Sequence, residues 1–143
     1  MSSKLRKSVL AVLLFTAMAS LTLAQGPSHK RVNYSINANY SLRLGDYILP
    51  PGDYVLYQIS ANDVNLFALY QKDMARSPIA MIRTTRINYS GGDYPDHTRM
   101  LLDYAESDAE AYPVIQGWTI PGEDGWQIIS VVANKNKILT RVK

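Results

Sequence analysis

The feature that most constrains this chain is a hydrophobic pattern with a period of two. Over residues 36–44 every even-numbered position is apolar, whereas the odd positions hold asparagine, serine or arginine. This alternation predicts a β-strand with one buried face and one face in water. From residue 25 onward, no amphipathic helix is long enough to connect two parallel strands. The pattern therefore predicts an all-β domain and excludes a parallel sheet.

Further apolar segments and the turns between them predict how many strands the domain has. Two of these segments, residues 54–59 and 64–71, are apolar on both faces, which indicates central strands that are covered on both sides. Residues 105–111 predict one or two helical turns or an acidic hairpin loop. About eight strands in total predict an antiparallel β-sandwich or open barrel. The other predicted strands are 47–49, 79–87, 98–104, 114–120, 126–133 and 138–142.

Residues 1–24 have the organisation of a secretory signal peptide. Residues 4–7 are Lys-Leu-Arg-Lys, an apolar run follows over residues 9–23, and Thr22 and Ala24 occupy positions −3 and −1 of a cleavage site. The alternative is an uncleaved membrane anchor, but the run is short for a span of about 20 residues. We therefore expect export of the protein.

The signal peptide sets the expected domain boundaries. Cleavage before Gln25, or at a second site after Ala19, leaves a disordered leader over 25–31 and a single β-domain over 32–143. We expect this product in the periplasm or outside the cell, with no transmembrane segment after cleavage.

Charge and cysteine content exclude several classes of function. Loss of residues 1–24 removes three basic residues and no acidic one, which leaves twelve of each and a net charge of zero with histidine neutral. Nucleic-acid binding depends on a surplus of lysine and arginine, so we expect no nucleic-acid partner. The absence of cysteine excludes disulfides, thiol catalysis and cysteine zinc sites.

The turn at residues 50–53 combines Pro50, Pro51 and Gly52; glycine tolerates a positive φ, and we expect Gly52 to be structurally critical in this turn. The surrounding Leu-Pro-Pro-Gly-Asp-Tyr-Val-Leu segment, residues 49–56, resembles the L-P-x-G-x-Y hairpin of small exported bacterial all-β domains. The resemblance covers about ten residues. It implies that Gly52 makes a tight turn and that Tyr54 begins a central strand. Because unrelated families share this hairpin, it implies no functional residue.

His97 is the centre of the only catalytic hypothesis, because His29 lies in the predicted leader. It follows Asp96, with Asp93 and Asp103 near in sequence, and a histidine with carboxylates can bind a metal or transfer protons. However, the spacing fits no metal loop, no Gly-x-Ser-x-Gly element is present, and acidic residues are common in turns. We therefore expect no catalytic centre, no cofactor and no metal, so the protein is not expected to be an enzyme.

The densest basic group consists of Arg76, Arg83, Arg86 and Arg99. These residues could form a patch for an anionic ligand if their strands are neighbours. Because the exported chain has no net charge, we expect them instead to form a solvated face in which they pair with Asp or Glu.

Aromatic side chains are the strongest functional indication. All ten tyrosines and both tryptophans lie in residues 25–143, and such side chains favour recognition surfaces as well as strands. Trp118 and Trp126 flank the turn at residues 121–125, so antiparallel pairing places them opposite each other. They form either a stacking platform for a sugar or peptide, or a cross-strand pair that closes the hairpin. We favour the pair and retain both as candidate ligand-binding residues.

Together these observations predict an exported, non-catalytic binding or structural module whose partner is an envelope protein or a glycan. One alternative is a carbohydrate-binding module that uses Trp118 and Trp126. Another is a small hydrolase centred on His97. Exposed coplanar aromatic rings would favour the first alternative, and a pocket that holds His97 beside a buried carboxylate would favour the second.

Overall fold

The computed structural model describes residues 29–74, 77–89, 92–104, 112–134 and 139–142. Within these residues the secondary structure is ten β-strands and a single turn of 3-10 helix, Lys72–Met74, which confirms the all-β class. The strands are β1 (Arg31–Ile36), β2 (Leu42–Leu44), β3 (Tyr47–Leu49), β4 (Gly52–Gln58), β5 (Leu66–Gln71), β6 (Ala80–Ile87), β7 (Arg99–Asp103), β8 (Val114–Thr119), β9 (Gly125–Ala133) and β10 (Thr140–Arg141).

Hydrogen bonds join the strands in the order β1-β4-β5-β6-β9-β8-β2-β3-β10, and β7 pairs with β8. The sheet is not closed, as expected for a β-sandwich or open barrel. All the described pairings are antiparallel except one parallel contact between Arg43 of β2 and Val114 of β8. This single contact makes the sheet mixed, but the described strands do not form a parallel sheet. Five strands, β3 to β7, separate β2 from β8 in sequence, and the one described helix between them is the 3-10 turn Lys72–Met74.

The strand predicted over residues 36–44 is divided in two. Ile36 is the last residue of β1 and pairs with Gly52, whereas β2 pairs with β3. Between them the Tyr40 N–H donates to the Asn37 carbonyl oxygen at 3.0 Å, which makes a turn. Asparagine favours turns, and alternation of apolar side chains does not specify which partner a strand has. β1 also begins at Arg31, inside the predicted leader; residues 25–28 lie outside the described residues.

The hydrophobic core contains buried side chains from eight of the strands. Phe67 of β5 lies at its centre and packs edge-on against Trp118 and Trp126, with ring centroids 4.9 and 5.8 Å apart. Each large apolar side chain buried in this way contributes about 1.5–3 kcal/mol to stability. The rest of the core comprises Val32, Ile36, Leu44, Leu49, Tyr54, Leu56, Leu69, Ile79, Ala80, Ile82 and Ile115.

The Pro50–Pro51 segment connects two strands that have different neighbours. β3 pairs with β2 and β10, whereas β4 pairs with β1 and β5, so the segment does not join the two strands of one hairpin. Gly52 has φ +150°, a conformation that side chains rarely adopt, so the condition for a strained Gly52→Val substitution is met. The Tyr54 hydroxyl donates to the Pro50 carbonyl oxygen at 2.6 Å. Burial raises the pKa of Tyr54 to about 12, so its phenol is neutral at physiological pH and serves as a core side chain.

Candidate functional site

Trp118 and Trp126 form the cross-strand pair that the sequence favours. Their Cα atoms are partners across β8 and β9, and their side chains are 0% and 1% exposed. The Trp126 indole N–H donates to the Val64 carbonyl oxygen at 3.1 Å. The hypothesis that these two residues form a stacking platform is therefore wrong, because both rings face Phe67 inside the core and no ligand can reach them.

His97 lies on an open surface, with 67% of its side chain exposed. Its Nδ1 is 2.5 Å from an Asp96 carboxylate oxygen, and the Arg99 guanidinium contacts the same oxygen at 3.3 Å. The hydrogen bond from His97 lowers the pKa of Asp96. Asp103 instead accepts a hydrogen bond from Gln116. The structure does not place His97 beside a buried carboxylate, which is the arrangement that the hydrolase hypothesis needs.

Metal ligands are not grouped in the described part of the chain. No cluster of three or more histidine, aspartate or glutamate side chains there could hold a metal ion. It stays a prediction that the protein uses no cofactor and no metal.

Three arginines of the basic group pair with aspartates, as expected. Arg83 lies 3.8 Å from Asp63, Arg86 lies 3.2 Å from Asp124, and Arg99 pairs with Asp96. Arg76 lies outside the described residues. These three arginines are therefore part of a solvated surface, where they form ion pairs with aspartates of the same chain.

A groove of about 570 Å³ lies on the outer face of β1, β4 and β5. Strand alternation explains its position: Tyr54 and Leu56 of β4 point into the core, so Val55 and Tyr57 point to the opposite face. The groove is lined by His29, Arg31, Val55, Tyr57, Gln58, Ile59, Tyr70 and Lys72.

Strand register brings the lining residues together. Arg31 of β1 is the partner of Tyr57 of β4, and Val55 of β4 is the partner of Tyr70 of β5. Val55 is 6% exposed and forms part of the floor, whereas Tyr57 and Ile59 are 39% and 41% exposed. The expectation that residues 54–59 are covered on both faces is therefore wrong at Tyr57 and Ile59, because no described strand packs over them.

The aromatic rings of the groove are held in defined positions. Tyr57 and Tyr70 meet edge to face, with centroids 6.3 Å apart and ring planes at 87°. The Arg31 guanidinium lies 5.4 Å from the centre of the Tyr57 ring. It also donates to the Tyr57 hydroxyl at 3.4 Å and to the Asn33 side-chain oxygen at 3.2 Å. These contacts orient both Arg31 and Tyr57 before any ligand arrives.

A smaller recess adjoins the groove. It is lined by Asn33, Tyr34, Ser35, Asp53, Tyr54 and Lys72. The Ser35 hydroxyl donates to the Asp53 carboxylate. Lys72 lines both cavities, so its side chain borders the outer face of β1 as well as the groove.

The groove was missed by reasoning from the sequence because its residues come from three separate segments of the chain. The available signal was the apolar odd-numbered face of residues 54–59, which no amphipathic helix in the chain could cover. Only strand pairing shows that Arg31 and Tyr70 flank that face.

Comparison with known proteins does not identify a relative. No protein-family model matches the chain, and no curated protein or solved structure is detectably similar to it. In the part of the chain that the structure describes, no helix has the length and apolar character needed to cross a bilayer.

Proposed function

We propose that the protein is an exported, non-catalytic binding module whose binding surface is the groove on β1, β4 and β5. The observation that carries the proposal is Tyr57, an exposed aromatic side chain oriented by Arg31 in a concave site. Tyrosine and arginine contribute most to binding when they are already ordered, because little side-chain entropy is lost. The partner is an envelope protein or glycan, because residues 1–24 have the pattern of an export signal.

The composition of the groove supports binding over catalysis. Its lining contains one histidine, His29, and no aspartate or glutamate. General acid–base catalysis uses a proton donor and acceptor within hydrogen-bond reach of the substrate, and a histidine base is usually oriented by a carboxylate. Tyrosine rings, aliphatic side chains and fixed cations favour recognition instead. Because Trp118 and Trp126 are buried, they cannot serve as the sugar-binding residues of the carbohydrate-binding alternative. A glycan remains one class of ligand to test at the groove.

The test is binding of the purified exported protein to arrays of envelope glycans and peptides. We expect the Tyr57→Ala variant to lose at least tenfold in affinity for whatever the unaltered protein binds. Tyr112→Ala is a matched control, since Tyr112 is 44% exposed and does not line the groove. Circular dichroism checks that each variant is folded.

Two outcomes would contradict this proposal. Equal binding by the Tyr57→Ala and Tyr112→Ala variants would place the binding surface elsewhere. Loss of binding in His97→Ala, with Tyr57→Ala unaffected, would favour the hydrolase hypothesis.

A further inference from the structure

We infer that the groove takes an acidic peptide, an extended protein segment that adds to the free edge of β1 and places carboxylates beside Arg31 and Lys72. An apolar side chain of the segment reaches over β1 toward the Tyr57 ring, which meets Tyr70 edge to face. This inference rests on the proposed function and names the partner class of the same site. Charge, ring geometry and the backbone of β1 each support it.

The two cations of the groove, Arg31 and Lys72, have no ion-pair partner among the described residues. No aspartate or glutamate lines the groove, and Asp53, which lines the adjoining recess, accepts a hydrogen bond from Ser35. Elsewhere four arginines lie 3.2–3.8 Å from aspartate oxygens; they are Arg83, Arg86, Arg99 and Arg141. A carboxylate ligand would gain charge-assisted hydrogen bonds from the groove without displacing a carboxylate of the described residues.

The ring geometry favours a side chain over a sugar. Stacking of a sugar needs an exposed, flat ring face. Tyr57 and Tyr70 are nearly perpendicular, at 87°, and the Arg31 guanidinium lies over the Tyr57 ring. Two perpendicular rings above Val55 make a notch that suits a single apolar side chain.

The outer edge of β1 favours a peptide. Among the described strands β1 is at the end of the strand order, and β4 is the strand that pairs with it. The Gln58 N–H donates to the Lys30 carbonyl oxygen, so even-numbered residues of this strand bond to β4. Arg31, Asn33 and Ser35 therefore direct their backbone N–H and C=O groups to the open edge. An extended peptide that pairs with such an edge gains main-chain hydrogen bonds.

Both cations lie on the groove side of the sheet, four residues apart along the strand direction. Arg31 begins β1, whereas Lys72 follows β5 and borders the recess lined by Asn33 and Ser35. Alternate side chains of an added strand point to the same face. A peptide with carboxylates four residues apart and an apolar residue between them would match this arrangement.

The experiment measures fluorescence anisotropy of a labelled, end-capped peptide, Glu-Val-Phe-Val-Glu-Val, with the full exported protein. We expect saturable binding that weakens as salt rises. The same peptide with glutamine in place of glutamate should bind at least tenfold more weakly. Arg31→Gln and Lys72→Gln should each raise the Kd about tenfold, whereas the control Arg99→Gln should leave it unchanged.

A second measurement on the unaltered protein does not depend on variant folding. Backbone N-methylation of the acidic peptide removes the N–H donors that edge pairing needs, and we expect it to abolish binding. Equal binding of the acidic and glutamine peptides, or of the methylated and unmethylated peptides, would overturn the inference.

An oligogalacturonate is the third probe, because it offers carboxylates on sugars. Its binding in place of the acidic peptide would assign the groove to an acidic glycan and overturn the peptide class. If the acidic peptide fails to bind while Tyr57→Ala still abolishes capture on the arrays, the inference fails and the proposed function stands.

Discussion

Gly52 and Gly117 are both required as glycines, for different physical reasons. Gly52 has φ +150°, a conformation that side chains rarely adopt, yet the nearest atoms to an added Cβ would be 3.7 Å away. Gly117 of β8 has no positive φ, but an added Cβ would overlap the carbonyl oxygen of Trp126 and lie 3.0 Å from its carbonyl carbon. The first position is limited by backbone conformation and the second by the close approach of β9.

At Gly52, we expect the change to valine to lower the free energy of unfolding by about 1–3 kcal/mol. Because the strain lies in the backbone and space for a side chain is available, Gly52→Ala should lower the free energy of unfolding by most of the same amount. Urea denaturation measures both variants. An unchanged midpoint for Gly52→Val would show that this turn does not require a glycine.

At Gly117, even the change to alanine should lower the free energy of unfolding by about 3 kcal/mol or more, because backbone atoms of β9 must move. Gly125→Ala is the matched control. It is a strand glycine of the same hairpin, and the nearest atoms to its added Cβ would be 3.3–3.4 Å away. In thermal unfolding, the midpoint temperature of Gly117→Ala should be well below that of Gly125→Ala. The reverse order would contradict the close approach of the β9 backbone to Gly117.

At the scale of elements, the β8–β9 hairpin shows how the two faces of a strand differ. Trp126 is 1% exposed and packs on Phe67, whereas Val132 of the same strand is 66% exposed. The register shift opposite Arg83 and Thr84 leaves Ile129 without a partner and reverses the alternation, so Val132 and its partner Met81 lie on the outer face. The hairpin therefore anchors the core through its tryptophans, and its other face is in water.

We expect Trp126→Ala to lower the free energy of unfolding by about 3–5 kcal/mol, through the lost burial and the cavity that remains. The double change Trp118→Ala and Trp126→Ala should unfold the domain, as seen by loss of the near-ultraviolet circular dichroism signal. Val132→Ala should change stability by less than about 0.5 kcal/mol. A folded double variant would show that the pair is not central to the core.

At the scale of the whole molecule, one open sheet produces both the core and the groove. Its inward side chains enclose Phe67 and the tryptophans, and its outer face at β1, β4 and β5 forms the groove. Because β1 is at the end of the strand order, the groove adjoins a free backbone edge.

We expect the exported protein to begin at Gln25. Cleavage there removes residues 1–24 and leaves β1, which starts at Arg31, intact. Mass spectrometry of the secreted or periplasmic product measures the new terminus. Retention of residues 1–24 would contradict the signal peptide and indicate a membrane-anchored protein.

The sequence by itself determined the elements. Period-two patterning and turn residues predicted most strands to within a few residues, including β4 to β9, and placed Trp118 opposite Trp126. The turn residues Pro50, Pro51 and Gly52 marked the boundary between β3 and β4. These features depend on interactions between residues close in sequence, which local pattern records.

Tertiary structure alone decided which strands are neighbours and which faces meet water. The alternation over residues 36–44 is continuous, but β1 pairs with β4 and β2 with β3, so the strand is divided. Tyr57 and the tryptophans are equally aromatic in the sequence, yet only Tyr57 is exposed among them. The physical reason is that burial and the groove depend on pairing between distant segments, and that pairing is settled by the packing of the whole chain rather than by any local pattern.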